Sequence, residues 1–321
     1  MAGDKEARYT SGQIFGDYLL MLIFPVILSV WYYSTAALSV IAVCLVTSFV
    51  CDFIGSVVIY KQYYLADLSG ICTGLMIAMM MPAGIKLYVP AMACSFAVLV
   101  LKIPFGGGMR TPFVPAAAGF AFAAISFKDM VFDYTVGREY MTTVSLGSLL
   151  SNGSALRITG LNVLDILTGN IYGPMGSGCI LVFIGCIVFL FIRRRSALLS
   201  TLGFIASCIV FALIFPRSNG YSAASPLLEL SAGSLMFASV FLVTDYATLP
   251  THTPNKIVCG VFCGIITMTM RYMGAFEEPV CFAVLLSNAF SPLLNIVTDR
   301  FISLVMKGKK GEEVTADEQR A

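Results

Sequence analysis

Along this chain polar positions act as punctuation between long apolar stretches. Long apolar runs cover 18–33, 36–58, 178–192, 196–215 and 257–270. Each approaches the roughly 20 residues that an α-helix needs to cross the hydrocarbon core of a bilayer. Continuous runs predict helices, because a membrane barrel would show strict alternation instead. The pattern predicts an all-α polytopic membrane protein with about ten segments. They fall near 16–34, 36–60, 68–82, 88–103, 112–127, 177–192, 196–215, 228–244, 256–272 and 278–297. The third and eighth are short or broken, since Pro82 and Pro250 close stretches rich in Gly and Ser.

The two halves echo each other. Asp67, Leu68 and Ser69 open the third segment, and Glu229, Leu230 and Ser231 open the eighth. Lys102 precedes Gly106 and Pro112, much as Arg271 precedes Gly274 and Pro279. Five segments per half invert the second copy, so the expected architecture is two inverted five-helix repeats with broken third and eighth helices. Paired interrupted segments of this kind point to a binding site near the membrane midplane. The expected organisation is an N-terminus over 1–15, a first repeat over 16–127, a long loop over 128–176, a second repeat over 177–300 and a charged tail over 301–321.

Composition strengthens the membrane reading. Of 321 residues, 58% are hydrophobic and 12% charged, about half the charged share of an ordinary globular domain. A net charge of +2 is too small to suggest a nucleic-acid partner. The opening MAGDKEARYTSGQ is polar, and no cleavable leader is expected. With both termini cytoplasmic, fourteen of the 20 lysines and arginines fall inside, the Arg193, Arg194, Arg195 run among them. The expected location is therefore the cell membrane, with the 128–176 loop outside. The 10 cysteines form no C-x-x-C pair, and His252 is the only histidine. Cys259 and Cys263 share a helical face, but small apolar roles suit these thiols better than a metal centre.

Four stretches carry candidate chemistry. KIPFGGGMRTPFVPAAAGF (102–120) interrupts apolar sequence with Lys102, Gly106, Gly107 and Arg110. Irregular backbone at this depth is tolerated only where protein or a polar cavity surrounds it. FLVTDYATLP (241–250) sets Thr244 and Asp245 at the end of an apolar run, where a carboxylate faces a cavity, a partner or the aqueous edge. RYMGAFEEPVCFAVLLSNAFSPLLN (271–295) places Arg271, Glu277 and Glu278 before a helix containing Asn288. Arg271 either pairs with the glutamates or holds a phosphate, for which a guanidinium is suited. The 128–176 loop, rich in Ser, Thr, Asn and Gly, is too long for a mere connector.

These blocks resemble the D subunit of Rnf electron-transport complexes and the related B subunit of the sodium-pumping NADH:quinone oxidoreductase. The likeness runs over roughly 15–297. It rests on DLSGICTGLMIAMMMP (67–82), KIPFGGGMRTPFVPAAAG (102–119), LSAGSLMFASVFLVTDYATLP (230–250) and RYMGAFEEPVCFAVLLSNAFSPLL (271–294). The resemblance implies flavin sites related by the repeat and membership of a complex with other membrane and iron–sulfur subunits. It also implies electron flow between ferredoxin or nicotinamide carriers and the membrane, coupled to Na⁺ or H⁺. One FMN in that family is joined by phosphoester to a threonine of an S-G-A-T-P-L motif in the outer loop, and a second flavin is expected to bind noncovalently.

This chain departs from the family at the flavin positions. Its nearest match to the attachment motif is Ser151, Asn152, Gly153, Ser154, Ala155 and Leu156, which puts Ser154 where the acceptor threonine stands. Val114 replaces the asparagine of F-N-P-A, and Asn295 replaces a later aspartate. Lys102, Gly106, Gly107, Thr244, Asp245, Arg271 and Asn288 keep the family's types. With Arg110 and Ser154 they are the expected cofactor-binding residues. The alternative is a transporter or channel on the same inverted-repeat fold without a redox cofactor, and a redox-inactive scaffold is a third reading.

Overall fold

The computed structural model describes residues 10–60, 68–107, 109–134, 145–151, 167–169, 173–217, 225–274 and 277–318. Ser154, Asp67 and most of the 128–176 loop lie outside them. The described residues are all-helical, with no strand among them. Helix α1 runs Ser11–Gly55 and passes into a π-helical stretch, Ser56–Tyr60. At 45 residues it would measure about 68 Å if straight, more than twice the apolar thickness of a bilayer. It is not straight, because Ser34 leaves helical geometry at φ 51° and ψ −123°. That turn separates the first two apolar runs where the sequence pattern divides them.

Helices α2 (Ser69–Met80), α3 (Tyr88–Phe96) and α4 (Pro115–Ser126) complete the first half, followed by α5 (Lys128–Val131) and α6 (Leu146–Ser151). A π-helical stretch, Ala97–Lys102, prolongs α3. Proline opens α4, at the one helix position where its missing N–H costs nothing. The second half holds α7 (Ile180–Arg193), α8 (Arg195–Ile214), α9 (Ser225–Ser231), α10 (Leu235–Phe241), α11 (Thr253–Tyr272) and α12 (Val280–Glu318). The eighth apolar segment is thus broken between α9 and α10, with Gly233 at φ 63° in the gap. Helix α12 runs past the boundary near 300 into the charged tail, whose Lys and Glu residues are good helix formers.

Among the described residues, four stretches are long and apolar enough to cross a membrane: Ser11–Val58, Arg195–Ile214, Thr253–Tyr272 and Val280–Arg300. The helices Ser69–Met80, Tyr88–Lys102, Pro115–Ser126 and Ile180–Arg193 are apolar but shorter. Apolar side chains occur both inside and outside. Tyr18, Met79, Phe183, Phe237 and Phe241 belong to one buried core, while Trp31, Ile192 and Val58 are about 70% exposed. That outer surface suits lipid.

Small residues draw helices together where no hydrophobic force operates. Helix α11 packs along α8 through Gly260 and Gly264, whose missing side chains leave room for the Ser200 carbonyl and the Ser207 hydroxyl. Near the end of α2, the Gly176 N–H donates to the Met79 carbonyl at 2.9 Å, pinning the chain just before α7 onto the first half.

Candidate functional site

Charged and polar side chains gather at two ends of the helices. At the first, the π-helical turn swings Lys102 inward until it is 2% exposed, and its Nζ donates to both Asp52 carboxylate oxygens at 2.8 Å. Asp52 lies against the first turn of α2. A Cβ on Gly70 would come within 2.8 Å of Asp52 Oδ2, so glycine is required for that approach. Beyond Lys102, Gly106 and Gly107 both adopt φ 98°, a left-handed conformation that glycine alone adopts freely. Their N–H groups close the turn onto the Ile103 and Lys102 carbonyls at 3.2 and 3.1 Å. The glycine-rich break is therefore a tight turn behind an ion pair, with Arg110 exposed on its rim. Thr111, in contrast, is 1% exposed and its hydroxyl lacks a partner among the described residues.

Thr244 and Asp245 stand in the turn that follows α10. The Tyr18 hydroxyl donates to the Thr244 carbonyl at 2.5 Å. Arg194, at the non-helical junction of α7 and α8 (φ −139°, ψ 66°), folds inward between two phenol rings. Its guanidinium carbon lies 5.3 Å from the Tyr18 ring centre and 5.7 Å from that of Tyr246, within cation–π range. Arg194 is 4% exposed and Asp245 9%. Arg194 Nη1 and Asp245 Oδ2 have no hydrogen-bond partner among the described residues. Leaving such atoms buried and unpaired is costly; one atom of each group stands open, while the Arg194 charge acts on Asp245 and the Tyr246 and Ala247 N–H groups donate to its carboxylate. Close by in sequence, exposed Arg193 pairs with Asp17 at 2.9 Å.

Asn288 lines a cavity of about 20 Å³ with Ser200, Thr248, Cys259, Ser287 and Ser291. Its Nδ2 is buried without a partner among the described residues. The space suits about one water.

The second end lies across the membrane-length helix α11, about 30 Å from its start. There Arg271, 4% exposed, donates through Nη1 to the Glu229 carbonyl at 2.8 Å and to Glu229 Oε2 at 3.2 Å, and through Nη2 to the Ala232 carbonyl at 2.9 Å. Arg217 approaches the same carboxylate, with Nε 3.0 Å from Glu229 Oε1, and stacks 4.0 Å from the Tyr272 ring centre. The arginine at 271 thus ties off the carbonyls exposed by the α9–α10 break. Glu277 and Glu278 do not pair with it directly. Glu278 Oε2 accepts from the Ser234 N–H at 2.8 Å and hydroxyl at 2.6 Å, capping α10. Glu277 accepts from the Ser145 hydroxyl just before α6. Both glutamates lie in the turn between α11 and α12, outside the spanning helices. Burial pushes the Glu277 carboxyl up to about 7, the Glu278 charge adds to the shift, and Arg271 opposes it.

The expected site residues therefore divide. Lys102, Gly106, Gly107 and Arg110 share one turn, and Thr244 and Asp245 another. Asn288 lines the nearby cavity, Arg271 serves the opposite end, and Ser154 lies outside the described residues. Lys102 and Arg271 each hold a carboxylate of this chain, Asp52 and Glu229. Sequence reasoning missed Tyr18, Asp52 and Arg194. Asp52 had a signal, as a lone acid inside an apolar run. For Arg194 nothing in the RRR run marks which arginine turns inward.

The chain is 25% identical over 310 residues to the D subunit of the Na⁺-translocating ferredoxin:NAD⁺ oxidoreductase complex of Acetobacterium woodii, covering 95% of this chain and 94% of that one. It is 29% identical over 255 residues to the D subunit of an ion-translocating oxidoreductase complex of Pseudomonas aeruginosa, covering 73% and 74%. It is 25% identical over 288 residues to the D subunit of the proton-translocating ferredoxin:NAD⁺ oxidoreductase complex of Clostridium ljungdahlii, covering 85% of each. Residues 6–302 match the NQR2, RnfD, RnfE family. The match spans nearly the whole chain, and the protein belongs to that family.

Proposed function

We propose that this chain is the membrane-embedded D subunit of an ion-translocating ferredoxin:NAD⁺ oxidoreductase complex, and that it carries flavin. Membership in such a complex is supported by the match to three D subunits of ion-translocating oxidoreductase complexes, two of them ferredoxin:NAD⁺ complexes. The partners are the complex's other membrane and iron–sulfur subunits, and the coupling ion is Na⁺ or H⁺. The ten segments form two inverted five-helix repeats with both termini cytoplasmic. Supporting this, Arg193 and Lys102, which charge counting puts inside, pair with Asp17 and Asp52 near the same ends of the expected segments. Arg217–Glu229 and Arg271–Glu229 join residues it puts outside.

The observation that carries flavin binding is the open pair of Arg194 Nη1 and Asp245 Oδ2. A flavin's uracil edge offers one N–H donor flanked by carbonyl acceptors, which a carboxylate and a guanidinium complement. Tyr18 and Tyr246 hold the guanidinium edge in place, and Thr244 anchors Tyr18. At the other turn the Thr111 hydroxyl, buried and without a partner among the described residues, is a further polar group beside Gly106 and Gly107. Bound there, a flavin takes up and passes on electrons that no side chain of this protein carries. A second FMN is joined by phosphoester to Ser154 in the outer loop.

Colour tests the reading. Protein coexpressed with a flavin-transferring enzyme absorbs in the flavin bands, and part of that flavin survives denaturation. Asp245→Asn and Arg194→Met lower the releasable flavin by about tenfold, as expected for losing one charge-assisted contact, and Ser154→Ala abolishes the fraction that survives. Colourless protein would exclude a flavin subunit and leave the transporter reading. Surviving flavin unchanged in Ser154→Ala would exclude that attachment.

A further inference from the structure

Among the described residues, the cluster around Arg271 contains more carboxylates than cations. Glu229 (1% exposed) is matched by Arg271 and Arg217. Glu278 (3% exposed) is pushed up by burial, and two donors from Ser234 together with the Arg271 charge oppose that shift and favour its anion. Glu277 adjoins it, with the Ser145 hydroxyl as its hydrogen-bond donor. Fully ionised, these five charged groups leave one negative charge in excess at a largely buried position. Tyr134, in the segment after α5, lies within electrostatic reach of both glutamates. It is 8% exposed, and its hydroxyl has no partner among the described residues. The Glu278 and Glu277 charges, with Tyr33 of α1, act on this phenol, and burial above all pushes it well above its usual range.

We propose that Glu277, Glu278, Tyr134 and Ser145 form a proton-binding site at the predicted outer end of the protein. The proton resides on Glu277, because adjacent carboxylates disfavour double ionisation and Glu278 already holds donors that favour its charge. The unpartnered Tyr134 hydroxyl is the polar neighbour available to the Glu277–Glu278 pair. The occupant is a proton from water, taken up and released without any bond change elsewhere. Its binding is linked to α6: Ser145 directly precedes that helix, and a Cβ on Gly147 would stand 3.4 Å from Glu277 Cγ. The groups facing the site are Glu278 and Glu277 from the α11–α12 turn, Arg271 from α11, Glu229 from α9, Arg217 before it, Tyr33 from α1 and Tyr134 itself. The site goes beyond the flavin reading and does not depend on it. A colourless preparation serves equally well.

Infrared difference spectroscopy of the full chain in lipid nanodiscs, titrated from about pH 5 to about pH 9, tests it directly. A protonated-carboxyl carbonyl band, shifting in D₂O, is expected to disappear with a midpoint near neutral pH. Glu277→Gln keeps the volume and removes the band, Asp245→Asn leaves it intact, and Tyr134→Phe moves its midpoint by at least about half a unit. A band that survives Glu277→Gln, a band that vanishes in Asp245→Asn, or no carboxyl titrating in this range each overturns the proposal. An unmoved midpoint in Tyr134→Phe removes the phenol from the site.

Discussion

Lys102 and Arg271 each stand at the end of a helical stretch and each is almost fully buried, yet they solve the same problem differently. Lys102 makes a closed pair: one ammonium, one carboxylate, both oxygens engaged at 2.8 Å. Arg271 works as a junction, with two backbone carbonyls, Glu229 and indirectly Arg217 and the Glu277–Glu278 turn around it. The difference follows from side-chain chemistry. A lysine is a point charge that one carboxylate satisfies, whereas a guanidinium fork has donors left over for backbone exposed by a broken helix. The first half keeps α2 intact behind its pair. The second half breaks between α9 and α10 and uses arginine to close the gap.

Removing Arg271 is therefore the most damaging way to break this comparison. Arg271→Met orphans two carbonyls and weakens the neutralisation of Glu229, which is 1% exposed. It is expected to cost about 3–5 kcal/mol. Thermal unfolding in detergent measures this, and adding Glu229→Gln restores part of the loss. Lys102→Met costs less, about 2 kcal/mol, because Asp52 is 24% exposed and water screens the charge left behind. With Asp52→Asn the double variant returns close to wild type, which the junction at Arg271 does not allow.

The smallest effect is the pH dependence around Glu277. Its folded value of about 7 exceeds its ordinary 4.5. Below about pH 4.5 both folded and unfolded forms hold the proton, and the group is neutral to stability. Between about 4.5 and 7 the unfolded chain releases a proton that the folded chain keeps, so stability falls as pH rises and levels off above. Partial exposure limits the fall to about 1–2 kcal/mol. Glu277→Gln flattens this part of the profile, and Glu229→Gln does not.

Much of this was legible in the sequence. The kink at Ser34, the shortness of α2 and the break before α10 fall where Ser, Gly and Pro interrupt apolar runs, because backbone in lipid must satisfy itself except at such points. The turn at Gly106 and Gly107 was equally visible, since consecutive glycines serve left-handed backbone. The partners were not. Lys102 read as a cofactor-binding cation and Arg271 as either a partner of Glu277 and Glu278 or a phosphate ligand, and the structure pairs them with acids 50 and 42 residues away, Asp52 and Glu229.

By itself, then, the sequence determined that the chain is helical, where its helices are interrupted and which family it belongs to. These depend on local apolarity and on motifs carried in order along the chain. Only the tertiary structure decided which charges are spent on one another and which stay open. It turned Arg194 inward between Tyr18 and Tyr246 while leaving Arg193 exposed, and it left Asp245 Oδ2 and the Tyr134 hydroxyl without partners among the described residues. Pairing depends on distance across helices, and residues adjacent in sequence can face opposite surroundings.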